Sequence, residues 1–374
     1  MDPVLLPPEI WLYIHQLATS DTSPWAAARS DAHRYEAPHE SEQDIQEFLR
    51  DACSFVLVCR LWNRLANQLL YENVRVPMDE HRFLTLRNAL ERPETAGLVR
   101  SIRLSRVHFD HNLAILTLCP QVQVVCQPDT RLGYFPSDVD TRVPTLPCLR
   151  DLYWPESFTT YLPAILMAAP NLEHLVILPT DLLALTPDPL DALPTSPSLR
   201  HLACCAFDAP HVSDILRLNF RHITRLRCAV LHLTLPRFPT LPVLETLELF
   251  HPPQGIPFAT LFARCPRLST LCYNVSNDLD LCDPLPARPV PLTCVRLHST
   301  ITVVDDAQWA RTDWRWEAIA PHFEFFLAPE VPRISRLVLH GSWDFVVADA
   351  RFAHTRDRLR TQGCQVEFPE GFLQ

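Results

Sequence analysis

The chain has 374 residues, 47% of them hydrophobic and 20% charged, so it is long enough for one large or two ordinary domains with a real core. It contains 36 prolines and only 6 glycines, and no two glycines are spaced for a phosphate-binding loop, a dinucleotide-binding turn or a nucleophile elbow. These spacings exclude the usual forms of P-loop NTPases, Rossmann dehydrogenases, kinases and α/β-hydrolases. A net charge of −10 without a basic stripe argues against binding to nucleic acid.

The cysteine pattern predicts a reducing compartment. The 13 cysteines are odd in number, scattered and often set in apolar runs, and no C-x-x-C pair is present. This usage is typical of free thiols in a core rather than of disulfides or a zinc ribbon. The first residues, Met1-Asp2-Pro3, lack the basic region that begins a secretory signal, so we expect no such signal. Prolines and polar residues interrupt the most apolar stretch, residues 158–185. We therefore expect a cytoplasmic or nuclear protein that makes no contact with a membrane.

Two helical segments begin the chain. Leu6-Pro7-Pro8-Glu9-Ile10 opens an amphipathic helix, in which proline is tolerated because the first-turn N–H groups lack intrahelical partners. Residues 19–46 are polar and acidic and predict a flexible insertion. A second helical pattern runs over residues 47–71 and is apolar on more than one face, which favours a docking surface for another protein.

These two segments carry a family resemblance. Leu6-Pro7-Pro8-Glu9-Ile10, followed later by Val58-Cys59-Arg60-Leu61-Trp62, resembles the F-box, a three-helix module that binds the Skp-type linker of cullin ubiquitin ligases. The long insertion between the segments departs from the short turn that is usual in the family. The resemblance implies that eight residues form or support the linker-binding face. They are Leu6, Pro7, Ile10, Ile14, Leu57, Val58, Cys59 and Trp62. The alternative interpretation is that these residues form the core of a helical cap.

A repeat of about 24 residues fills the rest of the chain. Its motif is apolar-x-x-apolar-x-apolar, as in Leu149-Leu152-Trp154, and eight of nine spacings between first anchors lie between 21 and 27 residues. Helical patterns ending at proline separate the motifs, as at 158–169 and 258–265. The pattern predicts an α/β fold, an irregular leucine-rich-repeat solenoid with a curved parallel sheet inside and helices outside. Together with the first segment, it resembles the F-box leucine-rich-repeat proteins.

The third and fifth motif positions point away from the apolar core, so we expect them to line the concave side of the solenoid. Arginine and tyrosine at such positions are typical of protein-binding surfaces, although a solvated face without a special role is an equal alternative. The candidate target-binding residues are Arg103, Asp151, Tyr153, His174, His201, Arg225, Arg227, Glu248, Arg296 and Arg336.

One spacing of 42 residues contains a tryptophan-rich insertion at about 301–330. Its aromatic residues either anchor a partner or form an outer helix, 316–327, that packs on the repeats, and we favour the packing.

No arrangement of catalytic residues stands out. His108, Asp110 and His111 suggest a metal pair but lack a third ligand at a recognisable spacing. We therefore expect no enzyme activity, no metal and no cofactor.

The sequence thus predicts an F-box-like domain at 1–75 and a degenerate repeat domain at 76–374. The expected function is substrate recognition in a Skp–cullin–F-box ubiquitin ligase, with the linker and cullin as partners on one side and an unidentified protein target on the other. The alternative is a non-catalytic repeat scaffold whose F-box-like region is only a cap. Because all 33 basic residues are arginine, the chain has no lysine side chain that its own ligase could modify.

Overall fold

The computed structural model describes residues 70–105, 109–127, 143–155, 162–178, 195–206, 215, 218–230, 240–249, 258–275, 291–299, 312–328, 331, 333–341 and 343–368. The chain divides into two compact units, with the boundary between Ser198 and Leu199. The F-box-like segments and the predicted insertion at 19–46 lie outside the described residues.

The unit that precedes Leu199 contains five strands and four helices with described bounds. The strands are β1 (Asn73–Arg75), β2 (Ser101–Arg103), β3 (Val124–Cys126), β4 (Asp151–Pro155) and β5 (His174–Leu178). The helices are α1 (Glu80–Leu90), α2 (Pro93–Ala96), α3 (Phe109–Leu118) and α4 (Leu162–Ala168).

The unit that begins at Leu199 contains seven strands and four helices with described bounds. The strands are β6 (His201–Ala206), β7 (Arg225–Val230), β8 (Thr246–Leu249), β9 (Thr270–Val275), β10 (Cys294–Ser299), β11 (Arg336–Gly341) and β12 (Gln365–Glu367). The helices are α5 (Phe258–Arg264), α6 (Thr312–Leu327), α7 (Asp344–Val347) and α8 (Ala350–Thr361).

Within each unit the strands pair in parallel and in sequence order. The predicted α/β class with parallel strands is therefore confirmed. Each expected motif corresponds to one strand from β2 to β11, whereas β1 in the first unit and β12 in the second extend the parallel strands beyond the motifs predicted from the sequence.

The motif anchors form the core. Every anchor whose side chain is described is no more than 4% exposed, including Leu152, Leu226 and Leu271. The second and third anchors alternate along each strand with polar positions, so one face of each sheet is apolar and the other carries the polar residues. The burial of these side chains supplies the main stabilisation of both units.

Proline turns introduce several of the strands. In five of them the N–H of the first anchor donates to the carbonyl three residues earlier, with proline directly after the acceptor residue; Leu149 N to Leu146 O (3.2 Å) and Leu268 N to Cys265 O (3.1 Å) are examples. Proline suits this position because its fixed φ matches the second residue of the turn and no N–H is needed there. The structure thus explains how the chain makes its turns with so few glycines.

A shared carbonyl sets the register where a strand begins. The carbonyl of the second motif residue accepts two N–H groups of the next motif; Thr293 O, for example, accepts from Ser335 N (2.8 Å) and Arg336 N (3.1 Å). The Ser335 hydroxyl donates to the same carbonyl at 3.0 Å, and Thr293 and Ser269 make equivalent hydroxyl bonds to their preceding motifs. Each strand is therefore aligned mainly by its immediate neighbour.

The tryptophan-rich segment contains helix α6, whose aromatic side chains are packed. Phe323 is fully buried and contacts Trp316, Trp343 and Phe352, with ring centroids 5.7–6.4 Å apart. The guanidinium of Arg351 lies 5.4 Å from the Trp316 ring centroid, over its face. The packing interpretation therefore holds for residues 316–327, while Trp309 lies outside the described residues.

The C-terminal elements depend on two local features. Asp349 caps α8 by accepting a hydrogen bond from Arg351 N at 2.8 Å, and the Arg351 side chain holds the pKa of this carboxyl below its usual range. Gly341, at the end of β11, has φ +88°, and a Cβ atom there would lie 2.8 Å from the Ser299 carbonyl oxygen. Only glycine fits this close approach of two strands.

Candidate functional site

We call the side of each sheet opposite the apolar core its polar strand face; it consists of the third and fifth motif positions and the next outward position. In the second unit, the fifth positions align in one row across the strands through the parallel register. This row contains Ala203, Arg227, Glu248, Cys272, Arg296, Val338 and Glu367. The third positions form a neighbouring row that includes His201, Arg225 and Arg336.

Glu248 is the most buried charged residue of this face. Its side chain is 1% exposed and accepts hydrogen bonds from Arg225 Nε at 2.7 Å and Arg227 Nε at 2.6 Å. The carboxylate therefore compensates two guanidinium groups and fixes their orientation, which holds both arginines in place before any partner arrives.

A second ion pair lies at the last strand. Arg336 donates through Nε and Nη2 to the two carboxylate oxygens of Glu367, at 2.9 and 2.7 Å. This fork lowers the pKa of Glu367 and raises the pKa of Arg336. The Arg336 side chain is 51% exposed, so the pair is open to water.

Arg296 lies between these two ion pairs and differs from the other arginines of the face. It is half-buried and aligned with Cys272 on one side and Val338 on the other, both of them buried. Within the residues that the structure describes, its guanidinium has no hydrogen-bond or ion-pair partner.

In the first unit, the polar strand face brings together Asp151 and His174. They are aligned on β4 and β5, and Asp151 Oδ1 lies against His174 Nδ1. Arg103 on β2 and Tyr153 on β4 are both half-buried, and each is aligned with Cys126 on β3. The expected residues thus occupy strand positions. Asp151 and Glu248 are buried, and each pairs with a basic residue of the neighbouring strand.

Sequence reasoning missed three members of this face. Glu367 belongs to β12, whose first apolar anchor is replaced by Gly363, so the six-residue motif is incomplete there. His298 and His340 follow the fifth positions of β10 and β11, and their rings stack at 4.7 Å between centroids. The sequence could have indicated both histidines, because each lies two residues after a fifth position and outward positions alternate along a strand.

The suggested metal pair is not supported where it is described. His111 Nε2 lies 3.1 Å from a Glu80 carboxylate oxygen, and its ring stacks on Phe83 at 3.7 Å. These contacts give His111 a packing role. No three His, Cys, Asp or Glu side chains of the described ranges are grouped as metal ligands, and His108 lies outside those ranges.

The buried cysteines are free thiols in unreactive surroundings. Of the eight cysteines whose side chains are described, seven are buried and Cys148 is half-buried. Burial raises the pKa of Cys119 and of Cys265 to about 12, so these thiols stay protonated near neutral pH. They are packing residues rather than nucleophiles.

Comparison of the sequence with known protein families and with curated proteins finds no match. In the part of the chain that the structure describes, no helix has both the length and the apolar character needed to cross a membrane.

Proposed function

We propose that this protein is the target-recognition subunit of a Skp–cullin–F-box type ubiquitin ligase. The F-box-like segments of residues 1–75 bind the linker, and the repeats hold a protein target. The receptor brings a target lysine close to the ubiquitin-charged enzyme, so it contributes proximity rather than chemistry of its own.

The observation that carries the proposal is the combination of two features in one chain. Residues 6–10 and 58–66 carry the F-box-like motif, and the parallel-strand repeats that follow present a face rich in arginine and histidine. Arginine recurs at the energetic centres of protein interfaces because its planar fork binds carboxylates in two places and its stem buries apolar area.

Co-purification with a recombinant Skp-type linker tests the first half. The double variant Leu6→Ala/Pro7→Ala should lose the linker, whereas Leu84→Ala should retain it, because Leu84 is an exposed leucine of α1 outside the F-box-like region. Both variants should keep the far-ultraviolet circular dichroism of the parent.

Two results would contradict this assignment. A parent chain that does not bind the linker excludes the receptor function. A double variant that loses both the linker and the circular dichroism signal supports the alternative, in which residues 1–75 are a structural cap of the repeats.

A further inference from the structure

We propose that the polar strand face of the second unit binds an extended, glutamate-rich segment of the protein target and that Arg296 anchors this site. The inference rests on the proposed function, because it names the chemistry of the target that the repeats would hold. The charges and the register of β7 to β12 support it.

Arg296 contrasts with the neighbouring arginines of this face. Arg225 and Arg227 are held by Glu248, and Arg336 is held by Glu367. Arg296 lies two strands from either carboxylate, about 10 Å in a sheet with strands about 4.8 Å apart, and none of the described residues gives it a hydrogen bond or an ion pair. Its charge helps Arg336 to lower the pKa of Glu367, but the described residues leave the hydrogen-bonding capacity of its guanidinium unused.

The polar strand face of the second unit carries a net positive charge. Four arginines and two glutamates on this face leave it with two positive charges, although the whole chain has a net charge of −10. A partner attracted to this face and repelled elsewhere on the chain is negatively charged. Electrostatic complementarity of this kind selects the partner and its orientation.

The neighbours of Arg296 on this face are apolar and buried. Cys272 and Val338 are aligned with Arg296 on the two adjacent strands and are 1% and 5% exposed. A carboxylate that binds an arginine bidentately in such surroundings contributes more than a fully exposed ion pair does.

The distance between Arg296 and Arg336 sets the spacing of the carboxylates in the ligand. Arg336 is one strand across and two residues along from Arg296, which places the two Cα atoms about 8 Å apart. Arg336 uses Nε and Nη2 for Glu367, and its Nη1 makes no bond to the described residues. In an extended peptide, side chains two residues apart are about 7 Å apart, so a Glu-x-Glu segment matches this pair.

The test uses the full chain and fluorescein-labelled dodecapeptides, measured by fluorescence anisotropy at 50 mM NaCl. The probes are alternating Glu-Ser, alternating Gln-Ser, and a third peptide with phosphoserine at every glutamate position of the first and alanine at the serine positions. The Glu-Ser peptide should bind at least about tenfold more tightly than the Gln-Ser peptide, and binding should weaken as salt rises to 0.5 M.

Arg296→Gln should weaken the Glu-Ser peptide about fivefold to tenfold, and Arg296→Lys, which keeps the charge but not the fork, should fall between it and the parent. Arg333→Gln is the matched control, because Arg333 is an exposed arginine of the same unit outside the strands. It removes the same charge and should change affinity less than twofold. All three variants should have the melting temperature of the parent.

Equal losses in Arg296→Gln and Arg333→Gln would overturn the site, because the attraction would then be non-specific. Binding of the phosphoserine peptide alone would also overturn it, since the proposed ligand is a carboxylate. Linker binding is measured on the same preparations. A chain that binds the peptide through Arg296 but not the linker refutes only the ligase assignment, whereas a chain that binds the linker but not the peptide refutes the Arg296 site.

Discussion

Replacing Glu248 by glutamine tests whether the buried carboxylate organises the arginines of the polar strand face. The change removes the negative charge between Arg225 and Arg227 and sets an amide N–H₂ group against one guanidinium. Loss of one partner of a buried ion pair costs about 3–5 kcal/mol. Because the arginine side chains are 28% and 15% exposed and regain some water, we expect about 2–3 kcal/mol.

Urea unfolding followed by tryptophan fluorescence measures the effect. With a slope of about 2 kcal/mol/M, the midpoint should fall by about 1–1.5 M. Glu324→Gln is the matched control, because Glu324 forms an exposed pair with Arg358 at 2.6 Å, and its loss should cost less than about 1 kcal/mol. The triple variant Arg225→Met/Arg227→Met/Glu248→Met should return to within about 1 kcal/mol of the parent, since apolar side chains replace a buried ion cluster without leaving a charge. Equal midpoints for Glu248→Gln and Glu324→Gln would refute the reasoning.

Three further predictions concern single positions. Gly341→Ala should lower the free energy of unfolding in urea by about 2–3 kcal/mol, because the new Cβ meets a strand carbonyl at 2.8 Å. Gly363→Ala, at φ +87° with open space around it, should lower it by about 1 kcal/mol, and equal losses would disprove the clash. Asp349→Ala should cost about 1 kcal/mol at pH 7. Because the pKa of Asp349 is lowered in the fold, this stability difference should persist above about pH 4 and disappear as the pH falls through the lowered pKa. Denaturation midpoints from pH 7 to pH 2 measure it, and a difference that stays constant over this range would argue against the cap. At pH 8, N-ethylmaleimide should modify Cys148 in the folded protein and Cys265 only after unfolding, as read by peptide mass spectrometry; early labelling of Cys265 would contradict its burial.

The parallel repeat was predictable because its signal is periodic and local. Anchors such as Leu152 and Leu271 recur at nearly constant spacing, and burial of the anchors requires the strands to stack in order. The last strand was missed because a strand at the end of a repeat has one neighbour and tolerates a weaker motif, as Gly363 shows before β12. The first strand was missed although Tyr71, Val74 and Val76 complete the motif, because these residues follow directly on the helix predicted over residues 47–71.

The charges of the site were harder to predict. The positions of Arg225, Arg227 and Glu248 followed from the motif, but which arginine would be neutralised depends on the lateral register and on side-chain reach. The pairing of Arg336 with Glu367 could not be predicted without β12. That none of the described residues gives Arg296 a hydrogen bond or an ion pair is known only from the structure.

The shared carbonyl at the start of each strand has a consequence for how such a chain changes in length. Thr293 and Ser335 make the same bonds as other neighbouring motifs, although 42 residues separate them and helix α6 lies between. Alignment is decided where a strand begins, so the segment after a strand is free to lengthen without disturbing the next one. New loops or whole helices are therefore best grafted directly after a strand end, where a foreign segment leaves the register of the existing strands unchanged.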